Sequence, residues 1–135
     1  MGDESVRALI ERLTRDAERL AVRFQLQYRA IEAERSNVRR RYGICFSDGT
    51  IRIRLQHNVT RRPLKYSSLV STLCHELAHL RHFNHGPRFR ALNLKILEFA
   101  RSEGIYRPRL MGTAEPRAQR PAAPQRGPEQ LGLFG

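Results

Sequence analysis

His75-Glu76-Leu77-Ala78-His79-Leu80-Arg81-His82-Phe83-Asn84-His85-Gly86-Pro87 is the stretch around which the rest of this chain is organised. Residues four apart in an α-helix stand one above the other on the same face, so His75 and His79 can direct two imidazoles at one ion. Zinc suits that arrangement. It binds imidazole nitrogen at about 2.0 to 2.1 Å, and its catalytic sites commonly take three protein ligands and keep a fourth position for water. Glu76, next to the first ligand, can take the proton of that water and later hand it to a leaving amine. The third ligand has to come from elsewhere. His85 lies six residues past His79, beyond a helix end where Asn84 and Gly86 can adopt the left-handed backbone that turns a chain back. The plain alternative is a surface helix with two histidines and a solvated glutamate. A zinc that only staples a fold would more often recruit cysteines, and neither Cys45 nor Cys74 has finger-like spacing.

Outward from the motif, residues 66–82 read as its helix. Leu69, Val70, Leu73, Leu77 and Leu80 form the buried stripe, and His75, Glu76 and His79 face a cleft. Pro87 suits a helix start, and the following helix runs to residue 102 with Phe89, Leu92, Ile96, Leu97, Phe99 and Ala100 inward and Gly104 as its stop. Upstream, Ser47-Asp48-Gly49 separates two alternating segments, 40–46 and 50–56, which predicts a β-hairpin. Ile51, Ile53 and Leu55 lie on one face of its return strand and Arg52 and Arg54 on the other. An exposed edge there could add an extended peptide to the sheet.

Residues 4–20 carry Val6, Leu9, Ile10, Leu13, Ala17 and Leu20 at helical spacing, with Asp3 as a possible cap. Over 22–28 the pattern alternates, which predicts a strand, although Ala17, Leu20, Phe24 and Tyr28 also fit a continuing helix. Residues 30–37 read as a connection. The expected architecture is therefore α+β over residues 1–110: an N-terminal helix, a three-stranded antiparallel sheet, the motif helix and a C-terminal helix. Residues 111–135, rich in Pro, Arg, Gln, Ala and Gly, read as a disordered tail.

A chain of 135 residues is one small domain. No apolar run approaches membrane-spanning length, and the N-terminus has mixed charge where a signal peptide would be apolar, so a cytoplasmic protein without a membrane partner is expected. Two cysteines fit a reducing compartment, with Cys74 as a buried apolar residue. Nothing in the sequence sets an oligomeric state. The net charge of +12 comes almost wholly from arginine and attracts polyanions, nucleic acid above all; arginine-favouring codon usage would give the same composition. Arg35, Arg39, Arg40, Arg41, Arg52, Arg54, Arg61, Arg62 and Lys65 form the densest basic block. On the hairpin's outer face they could track phosphates without sequence specificity, or form an ordinary solvated face. His82 reads as a surface histidine, and His57 has no assigned role. Tyr66 and Tyr106 could donate to an oxyanion, although aromatic packing is the commoner use of such residues.

His75-Glu76-Leu77-Ala78-His79-Leu80 with Asn84-His85 and Phe89 resembles the small bacterial zincins of the YgjP-like, WLM and SprT-like group. Tyr42-Gly43-Ile44-Cys45 is similar to the group's Trp-Gly-Ser-Cys, and the likeness spans about residues 22–109. It implies a zincin-like fold, His75, His79 and His85 as zinc ligands, and Glu76 as general base. His85-Gly86-Pro87 and Phe89 are particularly like the SprT-type members, some of which cleave proteins crosslinked to DNA. The chain departs at Arg90, where YgjP-like members usually carry Trp, and at Ile53-Arg54, where they tend to have Leu-Asn; subfamily and substrate stay open. The ligand spacing also equals that of metzincins, but His82 replaces their turn glycine. The expected activity is zinc-dependent hydrolysis of peptide bonds in a protein or peptide substrate. Two other readings are a nucleic-acid-associated protein with gated or lost peptidase activity, and a zinc-dependent phosphoanhydride hydrolase using Arg88 or Arg90.

Overall fold

In the computed structural model, which describes residues 2–35 and 41–108, one helix precedes a short run of three strands and two helices follow it. The order is α1 (Asp3–Phe24), β1 (Ala30–Ala33), β2 (Gly43–Cys45), β3 (Thr50–Ile53), α2 (Tyr66–His79) and α3 (Pro87–Ser102). The expected tail at 111–135 lies outside the described residues, as do Arg39 and Arg40 of the basic block.

α1 buries Leu13, Ala17, Leu20 and Ala21 along one stripe. Asp3 and Glu4 lie in its first turn, where acidic groups complement the helix dipole, but Gly2 is the cap residue and no side chain caps the end. The strand expected over 22–28 is instead the last turn of this helix and its exit. The alternating reading would bury Val22 together with Phe24. Val22 is 68% exposed, whereas the Phe24 ring meets Phe99 edge-on at 5.9 Å. The helix ends where Gln25 turns left-handed, at φ 57°. The Gln25 N–H then donates to Val22 O and the Leu26 N–H to Ala21 O. These paired reverse bonds satisfy carbonyls that a helix end otherwise leaves open.

The first strand falls in the segment read as a connection. β1 is four residues long and fully buries only Ile31, too short a run for a period to register. It pairs with β3 in parallel, Ile31 opposite Ile51 and Glu32 opposite Arg52. The hairpin forms as expected, β2 antiparallel to β3. Its turn uses Gly49 at φ +92°, and the Asp48 carboxylate accepts the Thr50 N–H at 2.9 Å. The sheet order is β1-β3-β2, so the sheet is mixed, correcting the all-antiparallel expectation: β3 is inserted between the two strands that precede it. The return strand, expected to offer an exposed edge, is therefore paired on both sides, and β2 is left at an edge instead.

The helices enclose one core. Leu69, Val70, Leu73, Cys74, Leu77 and Ala78 of α2 join Ile51 and Ile53 of β3 and Ile96 and Ala100 of α3. Cys74 is fully buried as expected, and burial pushes its thiol well above the ordinary range. Tyr66 at the start of α2 donates to Asp16 of α1, and Arg81 just past the end of α2 reaches Phe24 at the end of α1. The two helices therefore run side by side in the same direction. Among the described residues no helix is long and apolar enough to cross a membrane.

Candidate metal centre

The last turn of α2 carries His75, Glu76 and His79, and helical spacing puts the two imidazoles on one face. Past His79 the N–H groups of Leu80, Arg81 and His82 still fold back onto Leu77 O and Ala78 O. The chain then loops out and re-enters helix at Pro87, with Gly86 as cap. The loop returns His85 to the helix face. His85 Nε2 lies 2.9 Å from His79 Nε2 and 3.2 Å from His75 Nε2, and the ligand atoms of all three lie within 4.8 Å of one another. Two nitrogens bound tetrahedrally at about 2.05 Å from one ion stand about 3.3 Å apart, so the cluster has the scale of a metal site. A set of three imidazoles suits a transition metal ion.

His82 does not enter this cluster; its backbone does. His79 Nδ1 lies 3.0 Å from the His82 carbonyl. A proton on Nδ1 donated to that oxygen leaves Nε2 with its lone pair turned to the other two rings. Burial pushes the His79 imidazole down to about 4, which keeps it neutral, as a ligand must be. Beneath the rings lies Phe89, with its centroid 4.9, 4.4 and 4.9 Å from those of His75, His79 and His85. Sequence pattern marked Phe89 only as inward-facing. Its place on the first turn of α3 makes it the apolar floor of the cluster.

Glu76, buried at 5% exposure, packs where β2 comes against α2. A Cβ on Gly43 would stand 2.6 Å from Thr72 Cγ2, 3.1 Å from Arg52 O and 3.2 Å from Glu76 Cγ. Only glycine permits that approach; in the sequence Gly43 stood out only within the resemblance, with no role attached to it. Gly43→Ala is expected to push β2 off α2, lowering stability by about 1–3 kcal/mol and displacing Glu76. Denaturant unfolding measures the first effect and a fall in hydrolysis greater than the fall in folded fraction measures the second. Cys45, two residues along the same strand, is held as a thiol. Burial first, and then the charges of Glu76 and Asp48, push it up to about 12, so it offers no thiolate nucleophile.

The tyrosines proposed as oxyanion donors are engaged elsewhere. Tyr66 donates its hydroxyl to Asp16 Oδ2 at 2.6 Å, with the Arg12 guanidinium 3.6 Å above its ring. It starts α2, so it stands about 14 Å along the helix from His75. Tyr66→Phe is expected to cost about 1.5–3 kcal/mol, the range for a hydrogen bond to a charged partner, and to leave the rate of hydrolysis unchanged. A lowered rate in folded protein would restore the oxyanion role. Tyr106 follows the far end of α3 and packs under the Arg101 guanidinium. The hairpin arginines are also largely committed. Arg52 pairs with Glu32 and Arg41 with Glu34, each at 3.0 Å, and Arg54 is buried with its guanidinium 5.0 Å from the Tyr42 ring. The acids that meet them come from β1 and the residue after it, which the sequence pattern did not bring to the hairpin.

The family model for the YgjP-like metallopeptidase domain matches residues 4–102. No curated protein matches the sequence. Among solved structures, the crystal structure of Wss1 from Saccharomyces cerevisiae superposes with a TM-score of 0.67 at 17% identity, covering 76% of this chain and 84% of that one. A mutant of the same protein has the same score and identity and covers 78% and 87%. At that identity the likeness is one of fold.

Proposed function

Since this chain belongs to the YgjP-like metallopeptidase family, we propose that it is a zinc peptidase that cleaves peptide bonds by general-base attack of water, with His75, His79 and His85 as the metal ligands. The observation that carries the reading is the convergence of three Nε2 atoms, two of their contacts at 2.9 and 3.2 Å, with two of the three from the helix that also carries the buried Glu76. Zinc held there would polarise the scissile carbonyl and lower the pKa of the attacking water. Glu76 takes that water's proton and returns it to the departing amine nitrogen. The His82 carbonyl keeps His79 in the ligating tautomer, and Phe89 keeps water from beneath the rings. An extended peptide would run along β2, the strand at the sheet edge nearest Glu76, with its backbone paired to that edge.

The purified protein is expected to carry one zinc per chain and to cleave a generic unfolded protein. Chelation should abolish the cleavage and added zinc restore it. Absence of bound metal at neutral pH, or cleavage indifferent to chelation, would overturn the reading. A phosphoanhydride substrate is less favoured, because Arg90, one of the two arginines that reading would use, donates to the His85 carbonyl.

The net charge of +12 supports substrates that travel with a polyanion, including proteins on nucleic acid, held without sequence specificity. Because Arg41 and Arg52 already pair with glutamates, the slope of log affinity for DNA against log salt is expected to be shallow. A zero slope would remove nucleic acid from the proposal. The two free thiols, Cys45 and Cys74, support assignment to the cytoplasm.

A further inference from the structure

The third ligand is the one whose position needs explaining. His75 and His79 are set by a helix, but His85 is exposed and sits in a seven-residue loop, 80–86, in which Arg81, Phe83 and Asn84 are exposed as well. Fixing each loop residue costs roughly 1–2 kcal/mol of backbone entropy. Yet the His85 ring stands at ligand distance from both partners. Two guanidinium groups grip the loop from opposite sides. Before the turn, Arg81 Nη2 donates to Phe24 O at 2.7 Å and to Gln25 O at 3.2 Å. These carbonyls end α1, where a cation also meets the negative end of the helix dipole. After the turn, Arg90 on the first turn of α3 reaches back, and its Nη1 donates to His85 O at 3.0 Å, while its own N–H bonds Gly86 O.

We propose that Arg81 and Arg90 are positioning residues of the metal centre, which pre-place His85 by fastening the loop to α1 on one side and to α3 on the other. The inference rests on reading the histidine cluster as a metal site. Neither arginine touches the metal or the substrate. Each acts through the loop backbone, so that when the ion arrives the third imidazole is already in place. Groups that orient metal ligands from outside the coordination sphere change affinity by about 10- to 100-fold when removed.

The test is zinc affinity by chelator competition, on the parent and on Arg90→Ala, Arg90→Lys, Arg81→Ala and Arg81→Lys. Circular dichroism of the metal-free proteins checks the fold, and the visible spectrum of the cobalt-substituted proteins reports ligand geometry. Arg90→Ala is expected to weaken zinc binding about 10- to 100-fold and to reduce the tetrahedral cobalt absorption, with the metal-free fold intact because Arg90 is exposed. Arg81→Ala should weaken binding in the same direction. Each lysine variant should recover part of the loss, since an ammonium can still donate to a carbonyl. If Arg81→Ala fails to fold, Arg90→Ala and Arg90→Lys decide the matter. Parent-like zinc affinity and cobalt spectrum in folded Arg90→Ala would overturn the inference while leaving the metal site standing. A parent that binds no zinc would overturn both.

Discussion

Glu76→Gln is expected to lower the rate of peptide hydrolysis by about 10²- to 10⁴-fold, the range that general acid–base catalysis contributes, while zinc content stays at the parent level. Glutamine has nearly the volume of glutamate and keeps one oxygen that accepts a hydrogen bond, but its amide cannot take a proton from water. Because Glu76 is buried beside Gly43 and Thr72, an isosteric replacement keeps the packing that a truncation would break. At about 1.36 kcal/mol per decade, a loss in that range corresponds to about 2.7–5.4 kcal/mol of activation free energy. The loss should appear in kcat, with KM little changed, since the carboxylate acts in the transition state and not in holding the peptide. A folded, zinc-loaded Glu76→Gln protein within tenfold of the parent would remove Glu76 from the role of base.

His85→Ala carries the other large effect. Loss of a direct ligand should weaken zinc binding by more than about 100-fold, beyond what outer groups account for, and abolish hydrolysis at limiting metal. Stability of the metal-free protein should change by no more than about 0.5 kcal/mol, as for other exposed positions, because His85 is exposed. His82→Ala is the contrast that makes the result specific. His82 serves through its backbone carbonyl, 3.0 Å from His79 Nδ1, and alanine retains that atom, so metal affinity should hold at the parent value. Equal losses in the two variants would mean that any histidine in the loop matters, and the assignment of three ligands would fail.

The candidate site was legible because its chemistry is written at short range. His75, Glu76 and His79 are neighbours on one helix, but the turn that returns His85 is not the one expected: neither Asn84 nor Gly86 is left-handed, and Gly86 is extended at φ -78° as the cap of α3. What surrounds the site was less legible. Phe89 could be seen as apolar and inward, but not as a floor under three imidazoles, since that depends on how α3 crosses α2. Gly43 gave no periodic signal, because the lack of a side chain matters only where another backbone approaches. Arg90 stood out as a departure from the family's usual Trp, and its partner, a backbone carbonyl five residues earlier, has no mark in the sequence at all. The error over residues 22–28 has a similar origin. Val22, Phe24, Leu26 and Tyr28 satisfy period two while Ala17, Leu20 and Phe24 satisfy period 3.6, and contact with Phe99, far along the chain, decides between them.

By itself the sequence determined the elements whose reasons are local: three helices with their apolar stripes, a hairpin closed at Asp48-Gly49, and two histidines one helical turn apart. Tertiary structure alone decided that β1 joins the sheet beyond β3 in parallel, that its neighbourhood supplies Glu32 and Glu34 to neutralise arginines of the hairpin, and that a loop tethered to two helices brings His85 to the other imidazoles. The division follows from distance along the chain. Helical and turn preferences act over three or four residues, whereas strand order and ligand convergence depend on which surfaces bury each other, and that is known only once the whole chain has packed.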